Sequence, residues 1–138
     1  MIAGPVSILY AGLLGLLLIA LSAQVVFARR RFRGPLGTGT EEAMQQAVRV
    51  QANFVEYVPF AVLLLVLAEL TGLPGPAVHA AGLVLVVSRV LHALGLSRNT
   101  GRSFGRFYGT AGTWLTIVAL SIWLLYATTA VSRSPAPG

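Results

Sequence analysis

Hydrophobic residues fill four long runs of this chain, at about residues 5–28, 48–70, 77–95 and 107–131. Short stretches rich in Gly, Pro or Arg separate them. Each run reaches or approaches the roughly 20 residues that a helix needs to cross the hydrocarbon core of a bilayer. The pattern predicts an all-α membrane protein, a bundle of four transmembrane helices over 5–28, 41–70, 77–95 and 107–131 in one domain, 1–138. Pro5 suits a first helical turn. Thr40 is a candidate N-cap, followed by Glu41 and Glu42 where acids favour the helix dipole. The second helix is thus expected to start in water, before its apolar part. The segment Gly72-Leu73-Pro74-Gly75-Pro76 reads as a turn, and Gly95 as a C-cap. Trp123 and Tyr126 suit an outer interface belt. Gly12, Gly15, Ala11, Ala20, Gly109 and Gly112 are read as small residues that let helices pack closely.

Composition agrees with a membrane chain. Of 138 residues, 56% are hydrophobic and only 10% are charged, against about 25% charged in soluble domains. The first run lacks a basic n-region and exceeds the usual 7–15-residue core of a cleaved signal, so a retained helix is expected. Cysteine is absent, which excludes disulfides, a cysteine nucleophile and thiolate metal sites. The acids are Glu41, Glu42, Glu56 and Glu69. The two histidines, His79 and His92, cannot build a metal site alone, so none is expected.

Every basic residue is Arg, and the placement argues for topology rather than nucleic acid. Arg29, Arg30, Arg31 and Arg33 follow the first run; Arg98, Arg102 and Arg106 lie between the third and fourth. The loop between the second and third runs carries no charge, and Arg133 alone sits on the far side. The positive-inside rule then puts loops 1–2 and 3–4 in the cytoplasm and both termini outside. Arg31, Arg33 and Arg98 are read as topology signals and anchors for lipid phosphates.

Polar residues inside the second run carry the chemistry. At 100° per residue, Gln46, Arg49, Asn53, Glu56 and Tyr57 fall within roughly a quarter turn of one another. Ionisable groups at membrane depth are costly and usually functional. This stripe offers a guanidinium, an amide, a carboxylate and a phenol, a set suited to a zwitterion. On the third helix Arg89 and His92 share a face. Arg102 and Arg106 enter from the same end, so polar groups from three parts of the chain converge at one depth. The plain alternative is ion pairing that holds helices together, which is weak evidence of function. Glu69 and His79 are assigned no role beyond the interface, and a structural hydrogen bond is the alternative for His92.

Arg49, Asn53, Glu56, Tyr57 and Pro59 reproduce the pattern Arg-x-x-x-Asn-x-x-Glu-Tyr-x-Pro. In this the chain resembles the family of membrane-associated proteins in eicosanoid and glutathione metabolism, MAPEG. Ala28-Arg29-Arg30-Arg31-Phe32-Arg33 is similar to the end of the first helix in the leukotriene C4 synthase branch. Arg89-Val90-Leu91-His92 is similar to the third helix of the prostaglandin E synthase branch. The length and Arg-rich loop look most like bacterial members, which implies a place in a bacterial inner membrane.

The resemblance implies a homotrimer with glutathione bound at the cytoplasmic end between protomers. Arg49, Asn53, Glu56 and Tyr57 match positions that grip glutathione, and Gln51 matches a further contact offered to a neighbouring site. Arg89 and His92 join this set, and Arg30 matches an Arg near the second substrate. The thiolate-stabilising Arg at the start of the fourth helix corresponds to Arg106 with a short insertion, or to Arg102 with a shortening; Arg106 is preferred. Leu96 departs from the pattern, where eukaryotic synthases carry Tyr, so another low-molecular-weight thiol is an alternative co-substrate.

The implied activity is transfer of a thiol to a lipophilic electrophile, or peroxidase chemistry. A free thiol ionises near pH 8.5, leaving a few per cent thiolate at neutral pH. An Arg that lowered this by about two pH units would contribute roughly 2.7 kcal/mol to the anion. Partners expected are membrane lipids and a lipophilic small molecule. Two alternatives stand beside the enzyme: a catalytically silent lipid-binding member, and a small proton-coupled exporter using Glu56. The paired Arg49 opposes the exporter, because a proton carrier needs a raised pKa.

Overall fold

The computed structural model describes residues 5–32, 42–98 and 104–131. It consists of four helices: α1 (Val6–Phe32), α2 (Glu42–Leu70), α3 (Gly75–Arg98) and α4 (Phe104–Val131). All four are long and apolar enough to cross a membrane. Thr40, Glu41, Arg33, Arg102 and Arg133 lie outside the described residues, as do the side chains of Leu96 and Arg98.

Contacts fix the directions of the helices. The start of α1 meets the end of α2, where Glu69 bonds Val6 and Ser7. Tyr10 of α1 meets His79 near the start of α3, with its hydroxyl 3.0 Å from Nδ1. The start of α4 lies on the end of α3, at Gly109 and His92. The helices therefore run up and down in sequence. One end of the bundle carries the α2–α3 turn; the other carries Arg29, Arg30 and Arg31 and is called the basic end. Among the described residues α1 and α4 do not touch, so each flanks the central α2–α3 pair.

Two apolar clusters hold the bundle together. One joins Leu14 and Leu21 of α1 to Val50, Phe54, Val58 and Ala61 of α2 and Leu85 and Ala93 of α3. The other, nearer the turn, joins Tyr10, Leu65, Ala68, Val78 and Leu120. Outward-facing side chains such as Leu16, Ile19, Leu115 and Leu125 are exposed. In a bilayer that surface meets lipid, which asks only for apolarity.

Helix ends differ from the sequence expectation for physical reasons. α1 continues to Phe32, because arginines are good helix formers and favour a helix C-terminus. Charge ends the apolar run, not the helix. α3 begins at Gly75, with Pro76 accommodated in its first turn. α2 closes in a Schellman motif: Gly72 has φ 91°, Leu73 N–H bonds the Ala68 carbonyl at 2.9 Å, and Gly72 N–H bonds the Glu69 carbonyl at 3.1 Å. Gly95 is not a C-cap but lies inside α3. There it permits a close crossing, since a Cβ on Gly105 of α4 would stand 3.1 Å from the Gly95 Cα.

Candidate functional site

The polar stripe of α2 is split by its position relative to the core. Val50, Phe54, Val58, Ala61 and Leu65 are buried. Asn53 and Tyr57 occupy the edge of the stripe nearest that face and are half-buried, whereas Arg49 and Glu56 lie further round and are exposed. Gln51 is half-buried on another side of the helix.

α3 supplies Arg89 and His92, both buried. Arg89 reaches α2, where its Nη1 donates to Asn53 Oδ1 at 3.1 Å. Its Nε is buried without a hydrogen-bond partner among the described residues. Tyr57 of α2 lies near the Arg89 guanidinium. His92 lies near enough to Arg89 and Arg106 to feel the charge of both.

α4 is brought against α3 by glycines. A Cβ on Gly109 would lie 2.5 Å from the Ser88 carbonyl oxygen and 2.6 Å from His92 Cβ; one on Gly105 would lie 2.6 Å from the Leu91 carbonyl oxygen. This close crossing sets half-buried Arg106 beside His92.

Between these elements opens a cavity of about 1090 Å³ lined by Asn53, His92, Arg106, Thr110 and Ala111 together with Phe104, Phe107, Tyr108 and Trp114. Its wall is two-sided in chemistry. Asn53, His92 and Arg106 form the polar part. The aromatics of α4 form the apolar part, with Tyr108 stacked on Phe104 at 6.1 Å and edge-on to Phe107 at 5.4 Å. Phe104 to Trp114 covers roughly 15 Å of helix at 1.5 Å per residue, about half the hydrocarbon thickness. The cavity thus runs from the basic end into the membrane-spanning part of the chain.

Of the residues singled out in the sequence, the structure gathers Asn53, His92 and Arg106 at the cavity, with Arg89 and Tyr57 beside them. It does not bring Arg30, Arg49, Gln51 or Glu56 to the cavity wall of the single chain. Arg30 is exposed on α1, across the α2–α3 pair from α4. The α4 aromatic wall was not anticipated. Its signal was present, since Phe104, Phe107 and Trp114 recur at helical spacing, but aromatics near a helix end also suit an interface belt.

The chain is similar to known proteins along most of its length. A family model described as the MAPEG family matches residues 7–126. Inner membrane protein YecN of Escherichia coli strain K12 is 36% identical over 123 residues, covering 87% of this chain and 92% of that protein. The protein of the same name from Escherichia coli O6:H1 matches with the same figures. That relative is, by its name, a protein of the bacterial inner membrane.

Proposed function

This chain belongs to the MAPEG family, and from that membership and the two-sided cavity we propose that it is a membrane-embedded thiol transferase or peroxidase. Its co-substrate is glutathione or another low-molecular-weight thiol, and its second substrate is a lipophilic electrophile. The observation that carries this reading is the juxtaposition of hydrogen-bond donors with an aromatic wall in one cavity. Asn53 and Arg106 suit the anionic and carbonyl groups of a small peptide thiol. The buried Arg89 adds positive potential at the same depth. Phe104, Phe107 and Trp114 suit an apolar reactant arriving from the bilayer.

Arg106 is assigned the thiolate. A guanidinium stays protonated when partly dehydrated and stabilises an anion without taking up its proton. The cavity holds the two reactants side by side, which contributes through proximity. Arg106→Ala is expected to leave thiol affinity within about threefold while lowering conjugation with a lipophilic electrophile about a hundredfold. Equal conjugation rates in variant and parent would refute the assignment.

The remaining matched residues call for a second copy. Glu56 lies roughly 21 Å from the turn end of α2 at 1.5 Å per residue, within the spanning segment, and is exposed in the single chain. A carboxylate facing lipid there is costly. In a homotrimer a neighbouring protomer would cover Glu56 and Arg49 and bring Arg30 toward the cavity. Native mass spectrometry from detergent should give the mass of three chains; a monomer that retains activity would contradict this.

The exposure of Arg49 and Glu56 also favours a second reading, a lipid-binding member without thiol chemistry. The two part in a binding assay on purified protein. The enzyme binds glutathione saturably; the silent member takes up a lipid amphiphile and leaves glutathione free.

A further inference from the structure

Asn53 stands between the cavity and a buried cation. Its side chain lines the cavity, and its Oδ1 accepts from Arg89 Nη1 at 3.1 Å. Arg89 is only 2% exposed and is not part of the cavity wall. A carboxamide has one accepting end and one donating end, which are nearly alike in shape. A guanidinium can only donate. Only the oxygen of Asn53 can therefore face Arg89, and the NH₂ end is turned the other way.

We propose that Arg89 is a positioning residue: it locks the Asn53 carboxamide with its NH₂ toward the cavity, so that the site selects a ligand presenting a carbonyl or carboxylate oxygen there. The polar wall then carries the Asn53 amide donors and the Arg106 guanidinium. An ammonium or hydroxyl donor placed against Asn53 would meet another donor and lose affinity. An ionisable group at this depth is costly, and the hydrogen bond to Asn53 gives Arg89 a task there. Its direction of hydrogen bonding, rather than its charge alone, sets the orientation. This rests on the reading of the cavity as the thiol site and adds which atom of Asn53 meets the ligand.

The test is a double-mutant cycle on glutathione affinity, measured by calorimetry on the full chain in detergent, with Asn53→Ala, Arg89→Met and the pair. If Arg89 acts through Asn53, each single variant loses about tenfold and the double variant loses the same tenfold, not a hundredfold. Independent losses that multiply would overturn the proposal. Arg89→Lys, which keeps a donor-only group at that place, should recover part of the loss; no recovery would count against it.

A second readout does not need the thiol to bind. In protein labelled with ¹⁵N, the Asn53 side-chain amide signal is identified by its loss in Asn53→Ala. Arg89→Met should shift or broaden that signal as the carboxamide becomes free to flip, and an unchanged signal overturns the proposal. A parent protein that fails to bind glutathione, yet shows the shift, would refute glutathione as the ligand and leave the positioning role standing.

Discussion

At the turn end of the molecule the Glu69 carboxylate accepts from the Val6 and Ser7 backbone N–H groups and from the Ser7 hydroxyl. The first N–H groups of a helix have no partner of their own. Glu69 therefore caps α1 from another helix and pins the α1–α2 pair at one end. Glu69→Ala should cost about 1–2 kcal/mol, the usual worth of a cap, read as a lower unfolding midpoint in detergent with little change in catalysis. A loss of activity at unchanged stability would contradict a purely structural role. This partnership was not legible in the sequence, because caps are sought in the residues just before a helix and Glu69 lies 62 positions from Ser7. Asn53 and His92 were legible, since helical periodicity put each on a polar face. What periodicity could not tell was the depth of each side chain. It gave Arg49 and Asn53 one stripe, whereas the bundle buries one edge of that stripe and exposes the other.

The four helices themselves followed from the apolar runs, while their ends and their contacts did not. The α3–α4 crossing shows why. Gly109 and Gly112 were expected to pack, and a Cβ on either would collide with Ser88. Gly12 and Gly15 were expected to pack by the same rule, yet among the described residues no neighbouring helix comes within 4 Å of a Cβ at either. Small residues mark a possible approach without naming its partner. Gly109→Ala would push α4 off the α3 backbone, because the Ser88 carbonyl cannot swing aside as a side-chain tip does. The expected cost is about 1–3 kcal/mol, together with reduced conjugation from displacement of Arg106 relative to His92. Gly12→Ala should leave the folding of a single chain nearly unchanged. Thermal unfolding of both variants in detergent checks the contrast, and equal losses would mean that the crossing is not what the glycines serve.

As a whole, the molecule is a membrane bundle whose basic end carries a cavity reaching into the hydrocarbon layer. That placement suits two reactants of opposite solubility. On the proposed function, a polar thiol would enter from the headgroup side, where arginines concentrate, and an apolar partner along the α4 aromatics. The convergence of polar groups from α2, α3 and α4 was legible as a shared depth, because antiparallel neighbours put Asn53, His92 and Arg106 near one end. The aromatic half of the cavity was not, since a lipid-facing side chain and a substrate-facing one are equally apolar. The central claim is that the Arg106 guanidinium at this cavity holds a small thiol as its anion. Thiolate ultraviolet absorbance measures it most directly, in a pH titration of glutathione bound to the purified protein. The bound thiol should ionise about two pH units below its free value near 8.5, so thiolate absorbance persists at neutral pH and fades as the solution is made more acidic. In Arg106→Ala it should fade at higher pH. A bound thiol that titrates like the free one in both proteins would contradict the account.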